Sequence, residues 1–157
     1  MENNLNFIEL RIKNVDELLK ETHDYIKWQA PVDVEYMSQE DIFKVSCEAM
    51  RVTVRLTQIV SWLMLQKAIL AGEISRKALL VDISPILQGK PCLEESSEVD
   101  PFFPPRLREL LRKSRELYVQ TLRLEEMSLK NSPLPEEIKK RRAKGYHAVP
   151  LLRLKKT

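Results

Sequence analysis

The sequence predicts an all-α protein: a three-helix bundle with one long central helix, forming a symmetric dimer and followed by a flexible C-terminal tail. The 157 residues include only three glycines, whereas a strand-rich fold would need many tight turns. Three long segments repeat apolar residues at helical spacing, and a proline-rich connection separates the second segment from the third. A chain of this length suffices for one domain with a modest core.

The first helix is predicted over residues 6–29. Its apolar stripe advances in alternating steps of four and three residues, which places all members on one face of a helix. The members are Ile8, Ile12, Val15, Leu19, Thr22 and Ile26. We expect this helix to end before Pro31, because the residue that precedes a proline is pushed out of helical geometry.

The second helix is predicted over residues 39–71. Ser38 followed by Asp41 resembles a capping box, and Gly72 suits the end of a helix. Apolar residues fill heptad positions a and d between these caps, with one exception at Gln66. They are Ile42, Ala49, Leu56, Leu63 and Leu70 at a, and Val45, Val52 and Ile59 at d. A helix this long spans roughly 50 Å and favours coiled-coil-like packing.

After the second helix the sequence changes in composition, and two further helices and an irregular stretch are predicted. Residues 75–83 predict a short helix capped by Ser75, and residues 84–105 contain five prolines and an acidic cluster. We interpret this second stretch, the crossover, as irregular and outside the core. A third long helix is predicted over 106–130, with the stripe Leu107, Leu110, Ser114, Leu117, Thr121 and Leu124. The short connector predicts an antiparallel first pair of helices, whereas the crossover leaves the direction of the third open.

Charge divides the chain into a helical domain, residues 1–130, and a basic tail, residues 131–157. The tail carries eight Lys or Arg against two Glu, a net charge of +6, whereas the whole chain carries +3. Its candidate contact residues are Lys139, Lys140, Arg141, Arg142 and Lys144. A nucleic-acid-associated protein could contact phosphates through them, and this is the alternative function. Because the tail lacks interleaved aromatics, a solvated tail, or one docked on the acidic body, is favoured.

The segment from Ile59 to Ala71 is apolar around almost its whole circumference. Two neighbouring helices cover positions a, d and their flanks but not easily b and c as well. Leaving side chains such as Trp62 and Leu65 in water would forfeit several kcal/mol, at about 25 cal/mol per Å². A second copy is the simplest cover and predicts a symmetric dimer. The alternative is that the short helix at 75–83 folds back over this face.

The predicted dimer or partner interface lies on heptad positions c and g. Its residues are Arg51, Arg55, Gln58, Trp62, Leu65 and Ile69. A tryptophan edged by arginines can anchor an interface. It can equally be a core tryptophan with solvated neighbours, and the pattern does not separate the two.

No catalytic or cofactor-binding signature is present in the sequence. Neither histidine, His23 or His147, lies near Cys47 or Cys92 at metal-ligand spacing, and both phosphate-loop and dinucleotide-binding glycine patterns are missing. We therefore expect no enzyme activity, no metal and no cofactor.

A cytoplasmic location is expected. The N-terminus lacks the pattern of a secretion signal, and two cysteines do not form a disulfide framework. The apolar run is shorter than the roughly 20 residues that span a bilayer. Whether the protein is recruited to a cell pole is left open.

The long helix resembles the central signature of the RcdA family, the alphaproteobacterial regulators of CtrA degradation. The stretch reads C-E-A-M-R-V-T-V-R-L-T-Q-I-V-S-W-L-M-L-Q-K-A-I-L-A-G-E-I-S. The matching residues are Met50, Arg51, Thr53, Arg55, Leu56, Gln58, Ser61, Trp62, Leu63, Gln66, Lys67, Ala68, Gly72 and Glu73. The crossover and the basic tail depart from the family pattern.

The resemblance implies a small dimeric helical adaptor without catalysis of its own. Members of that family assist the ClpXP protease together with the adaptor CpdR and, where present, the cyclic-di-GMP effector PopA. The expected cargo is the cell-cycle regulator CtrA or a protein like it. Regulated proteolysis is therefore the first expectation for this chain, with CpdR-like and PopA-like proteins as partners.

Overall fold

The computed structural model describes residues 2–75, 87 and 90–130, and the structural statements below refer to this part of the chain. Every regular element in it is helical, and no strand occurs among these residues, which confirms the all-α prediction for them. The elements are α1 (Glu2–Asp24), a π-helical turn (Tyr25–Gln29), α2 (Ala30–Asp33), α3 (Gln39–Leu70), α4 (Lys90–Leu93), α5 (Ser96–Val99) and α6 (Pro105–Lys130).

The predicted caps of α3 are confirmed. The Ser38 hydroxyl accepts a hydrogen bond of 3.2 Å from the backbone N–H of Asp41. At the other end, Gly72 adopts φ +76°, in the left-handed region that glycine enters without steric cost. The N–H of Glu73 then donates to the carbonyl oxygen of Ala68 at 3.0 Å, which satisfies a helix-end acceptor.

The prediction that Pro31 ends the first helix was wrong. Helical structure continues through the π-helical turn to Asp33, and Pro31 lies in the first turn of α2. A first-turn residue needs no backbone donor, so proline is tolerated there. The wider π-helical turn also shifts which side chains face inward. Tyr25 is buried, whereas Ile26, predicted on the inner stripe, is 43% exposed.

The directions of the long helices follow from contacts at their ends. The guanidinium of Arg106, at the start of α6, lies 2.9 Å from the carboxylate of Glu21, near the end of α1. Further along α6, Gln120 accepts a hydrogen bond from Arg11, so α6 runs antiparallel to α1.

α3 packs against both of the other long helices. The ammonium of Lys67, near its end, lies 3.0 Å from the carboxylate of Glu9, near the start of α1. α3 and α1 are therefore antiparallel, and α6 runs parallel to α3. The sequence left that last direction open.

Most residues of the predicted apolar stripes are buried in the core, which also includes Leu18, Leu111 and Tyr118 from outside those stripes. The buried residues of α3 at positions a and d are Val45, Ala49, Val52, Leu56, Ile59 and Leu63. The hydroxyl residues in the other two stripes are buried as well. Thr22 and Thr121 donate to the carbonyl oxygens four residues earlier, at 2.7 and 2.8 Å. Their polar groups are thus satisfied within their own helices.

The prediction that the crossover is irregular and outside the core was wrong for its described residues. It contains the short helices α4 and α5, and it buries the side chains of Leu87, Cys92 and Phe103. The last proline of the crossover, Pro105, occupies the first position of α6, where a helix tolerates proline. The short helix predicted at 75–83 and the tail at 131–157 lie outside the described residues.

Tyr25 provides a test of the packing at the π-helical turn. Its hydroxyl and the Oδ2 atom of Asp33 are both buried without a hydrogen-bond partner of normal geometry. Burial, followed by the charge of Asp33, raises the pKa of Tyr25 well above its ordinary value of 10. Because the folded state holds the proton more tightly, the associated stability is present below pH 10 and is lost as the pH rises beyond it.

We expect Tyr25→Phe to change the free energy of unfolding little at neutral pH, since it removes an unpaired hydroxyl. At pH about 11 the variant should be more stable than the wild type by about 1 kcal/mol. Urea denaturation at both pH values measures the difference. An equal difference at the two pH values would show that Tyr25 ionises as freely in the folded as in the unfolded chain.

Candidate functional site

The faces of α3 have different surroundings. Position e faces α1, as the Lys67–Glu9 ion pair indicates. Positions c and g face the crossover and α6, because Arg55 and Gln58 form hydrogen bonds with residues of those elements. Positions b and f remain outside these contacts. The face predicted as an interface, c and g, is therefore the one that the chain itself covers.

Arg55 is the central residue of the covered face, with 0% of its surface exposed. Its Nε–H donates to the carbonyl oxygen of Cys92 at 2.7 Å, and its Nη2 donates to that of Glu94. Its Nη1 donates to the carbonyl oxygen of Leu111 at 3.0 Å and to the Ser114 hydroxyl at 3.3 Å. One guanidinium thus joins α3, the crossover and α6.

A carboxylate compensates for part of the buried charge. Glu98 on α5 lies 4.0 Å from Nη1 of Arg55 and 2.6 Å from Nε of Arg115 on α6. Burial lowers the pKa of Arg55, and the neighbouring Glu98 charge opposes that shift. The Glu98 side chain is itself almost fully buried, and its carboxylate attracts both guanidinium groups.

Gln58 connects the covered face to α6. Its Oε1 accepts a hydrogen bond of 3.1 Å from the buried hydroxyl of Tyr118 and lies 3.9 Å from the Cys92 sulfur. Burial raises the pKa of the Cys92 thiol. A protonated, enclosed thiol is a poor nucleophile, so this cysteine acts in packing.

The other predicted interface residues are buried to different extents. Arg51 is half-buried and pairs with Glu48 at 3.1 Å. Trp62 is buried, whereas Leu65 and Ile69 are half-buried. Arg55 and Trp62 therefore offer almost no surface to a partner in the single chain. The crossover provides part of the cover of Arg55, and the sequence pattern alone did not identify it.

A continuous exposed strip follows positions b and f of α3, and we call it the b/f strip. It consists of Phe43, Cys47, Met50, Val54, Thr57, Ser61, Met64 and Ala68. None of the eight is charged, although charged residues make up 31% of the chain. The first seven are exposed, Phe43 to 69%. The Thr57 and Ser61 hydroxyls donate to carbonyl oxygens of their own helix, which satisfies their donors locally.

The b/f strip differs from an ordinary solvent-facing helix surface, which is rich in charge. At 1.5 Å per residue it extends about 38 Å. The same 4-3 spacing that identified the core identifies this strip, so the sequence contained the signal. The sequence pattern favoured positions c and g instead, because Trp62 and its neighbouring arginines lie there. Exposed apolar strips of this kind indicate a protein–protein contact.

The described residues contain no cluster of three or more metal-ligating side chains. Among the same residues, no helix is long and apolar enough to cross a membrane. The predicted tail contacts, Lys139, Lys140, Arg141, Arg142 and Lys144, lie outside the described part of the chain.

In its described part, the chain is an all-α protein whose distinguishing features are a buried guanidinium network and an uncharged exposed strip. The chain belongs to the family described as "Protein of unknown function (DUF1465)", whose model matches residues 13–145. That match covers α3 and the crossover completely and reaches into the basic tail. The comparisons with curated proteins and with solved structures found no match.

Arg55→Met tests the guanidinium network. The variant keeps an unbranched apolar stem but removes the Arg55 donor from three backbone carbonyl oxygens, of which only that of Leu111 also accepts from the Ser114 hydroxyl. We therefore expect a loss of about 3 kcal/mol in the free energy of unfolding. Amide hydrogen exchange in α4 and α5 should accelerate more than exchange in α1.

The matched control is Arg112→Met, at a half-exposed arginine paired with Glu116, where the loss should stay below about 0.5 kcal/mol. Equal losses for the two variants would mean that the network contributes nothing specific to stability.

Proposed function

We propose that this protein is a non-enzymatic adaptor that assists regulated proteolysis by ClpXP in the cytoplasm. The cargo would be a CtrA-like cell-cycle regulator, and CpdR-like and PopA-like proteins would be co-adaptors. The support is the likeness of residues 50–73 to the RcdA signature, together with the exposed b/f strip on the same helix.

The residues of α3 that match the RcdA signature have two different roles. Arg55, Leu56 and Trp62 are buried and hold the helix against the rest of the chain. Met50 and Ser61 lie on the exposed b/f strip. A motif that maintains one face and presents another suits a protein that acts through contact. This division is the observation that carries the proposal.

The proposal includes a three-helix bundle that pairs with a second copy through the b/f strip. A strip about 38 Å long and about 10 Å wide covers about 400 Å² per copy. A standard interface buries about 800 Å² on each partner, so the strip alone would support a weak dimer that dissociates on dilution. An uncharged strip pairs with its own copy without electrostatic repulsion, which favours a two-fold arrangement.

An adaptor of this design works by proximity. Contacts on different faces of one rigid helical body hold cargo and co-adaptor together, which raises the local concentration of cargo near the protease. No bond is made or broken by the adaptor itself. Partner binding therefore depends on surface residues, whereas the buried network only maintains the shape of the surface.

The dimer is tested with the double variant Met50→Glu and Val54→Glu. Two carboxylates on each copy should repel across a two-fold axis, so sedimentation velocity should show monomer at concentrations where the wild type is dimeric. Ser46→Glu, an exposed position on the same helix outside the strip, is the control and should leave the dimer intact. A wild type that stays monomeric at high concentration would refute the dimer.

The adaptor activity is tested by reconstituted degradation. Purified protein should accelerate degradation of a CtrA-like cargo only when ClpXP and the co-adaptors are all present. The Met50→Glu and Val54→Glu variant, compared with Ser46→Glu, reports whether the strip contributes. No acceleration with every partner supplied would refute the proposed function, whatever the oligomeric state.

A further inference from the structure

A second exposed apolar surface lies at the turn between α1 and α3, far from the middle of the b/f strip. Trp28 is 67% exposed and Tyr36 is 94% exposed, and Val32 between them is similarly open. Trp28 and Val32 lie four residues apart in consecutive helical segments and so share a face. We call these three residues the turn patch. Large exposed apolar and aromatic side chains within one short stretch of the chain indicate a contact surface.

Trp28, the first residue of the turn patch, lies in the π-helical turn. π-helical turns are rare and often occur at functional sites. Here the turn directs Tyr25 into the core and leaves Ile26 and Trp28 outside. The ammonium of Lys27 lies 4.8 Å from the Trp28 ring, which keeps one cation on the patch.

The surroundings of the turn patch are acidic. Residues 24–44 contain five carboxylates and two lysines, a net charge of −3. Lys44 pairs with Glu40 and Asp41, so the unbalanced charge lies mainly at the patch itself, with Asp24 and Glu35 exposed. An apolar patch with a negative rim fits a segment that combines apolar side chains with positive charge.

Such a segment occurs in this chain. Residues 131–157 carry a net charge of +6 and end in the apolar run A-V-P-L-L-R-L at 148–154. The proline in that run favours an extended conformation, which aromatic surfaces bind at low entropic cost. Charge and composition both match the turn patch.

The length of the tail allows the contact. α6 begins beside Glu21, near the turn, and ends about 38 Å away at Lys130. The 17 residues from 131 to 147 reach up to about 56 Å when extended, at about 3.3 Å per residue. The apolar run can therefore return to the turn, and the basic residues 139–144 then lie along the way.

We propose that the basic C-terminal segment of this chain docks on the turn patch, with residues 148–154 against Trp28, Val32 and Tyr36. The docked segment covers the patch. The turn patch does not share residues with the b/f strip, so the test of this contact does not depend on the dimer.

Photo-cross-linking tests the contact in the full-length chain. Tyr36→p-benzoylphenylalanine keeps an aromatic side chain at an almost fully exposed position, so folding should be preserved. Irradiation should link position 36 to a peptide from residues 146–154 within a product of monomer mass. Replacing Lys139, Lys140, Arg141, Arg142 and Lys144 by glutamine should reduce the yield several-fold, as should about 1 M salt.

The control places the same photoprobe at Val99, which is also strongly exposed but belongs to α5. A yield at position 36 no higher than at position 99 would overturn the proposal. Links from position 36 only to a second chain, whether to its tail or to its helices, would also overturn it. A yield unchanged by salt and by the glutamine replacements would refute the electrostatic part and with it the proposed docking.

Discussion

The buried guanidinium of Arg55 is the interaction on which the arrangement of the described residues depends. Removing a charge from water costs several kcal/mol unless hydrogen bonds and an opposite charge replace the solvent. Arg55 meets that condition through backbone carbonyls of the crossover and α6 and through Glu98. Because these partners come from three separate elements, satisfying one side chain fixes the position of all three. The crossover is held to α3 by this polar contact as well as by apolar packing.

This contact divides the circumference of α3 into faces with distinct roles. Positions a and d form the core, position e faces α1, and positions c and g face the crossover and α6. Positions b and f are left, together with the exposed Ser46 and Thr53 at position e, and b and f carry no charge over eight residues. The chain therefore encloses part of the apolar surface of this long helix and leaves the remainder exposed.

The two exposed apolar surfaces differ in chemistry, and they suit different occupants. The b/f strip is long, straight and uncharged, which suits a helix of a second copy. The turn patch contains two exposed aromatic residues and belongs to an acidic stretch of the chain, which suits a basic apolar segment. Under the proposed function, separate surfaces would allow separate partners to bind at once.

The sequence by itself determined what depends on near neighbours: the length of α3, the caps at Ser38 and Gly72, and the apolar stripes of the three long helices. These features arise from residues three or four positions apart, and periodicity records them directly. Only the tertiary structure decided the role of Arg55, the inclusion of the crossover in the core and the direction of α6. The acceptors of Arg55 lie 37 to 59 residues away in sequence, so no local pattern can reveal them. A buried arginine and an interface arginine have the same spacing on a helix, and what distinguishes them is which distant backbone carbonyls lie within reach.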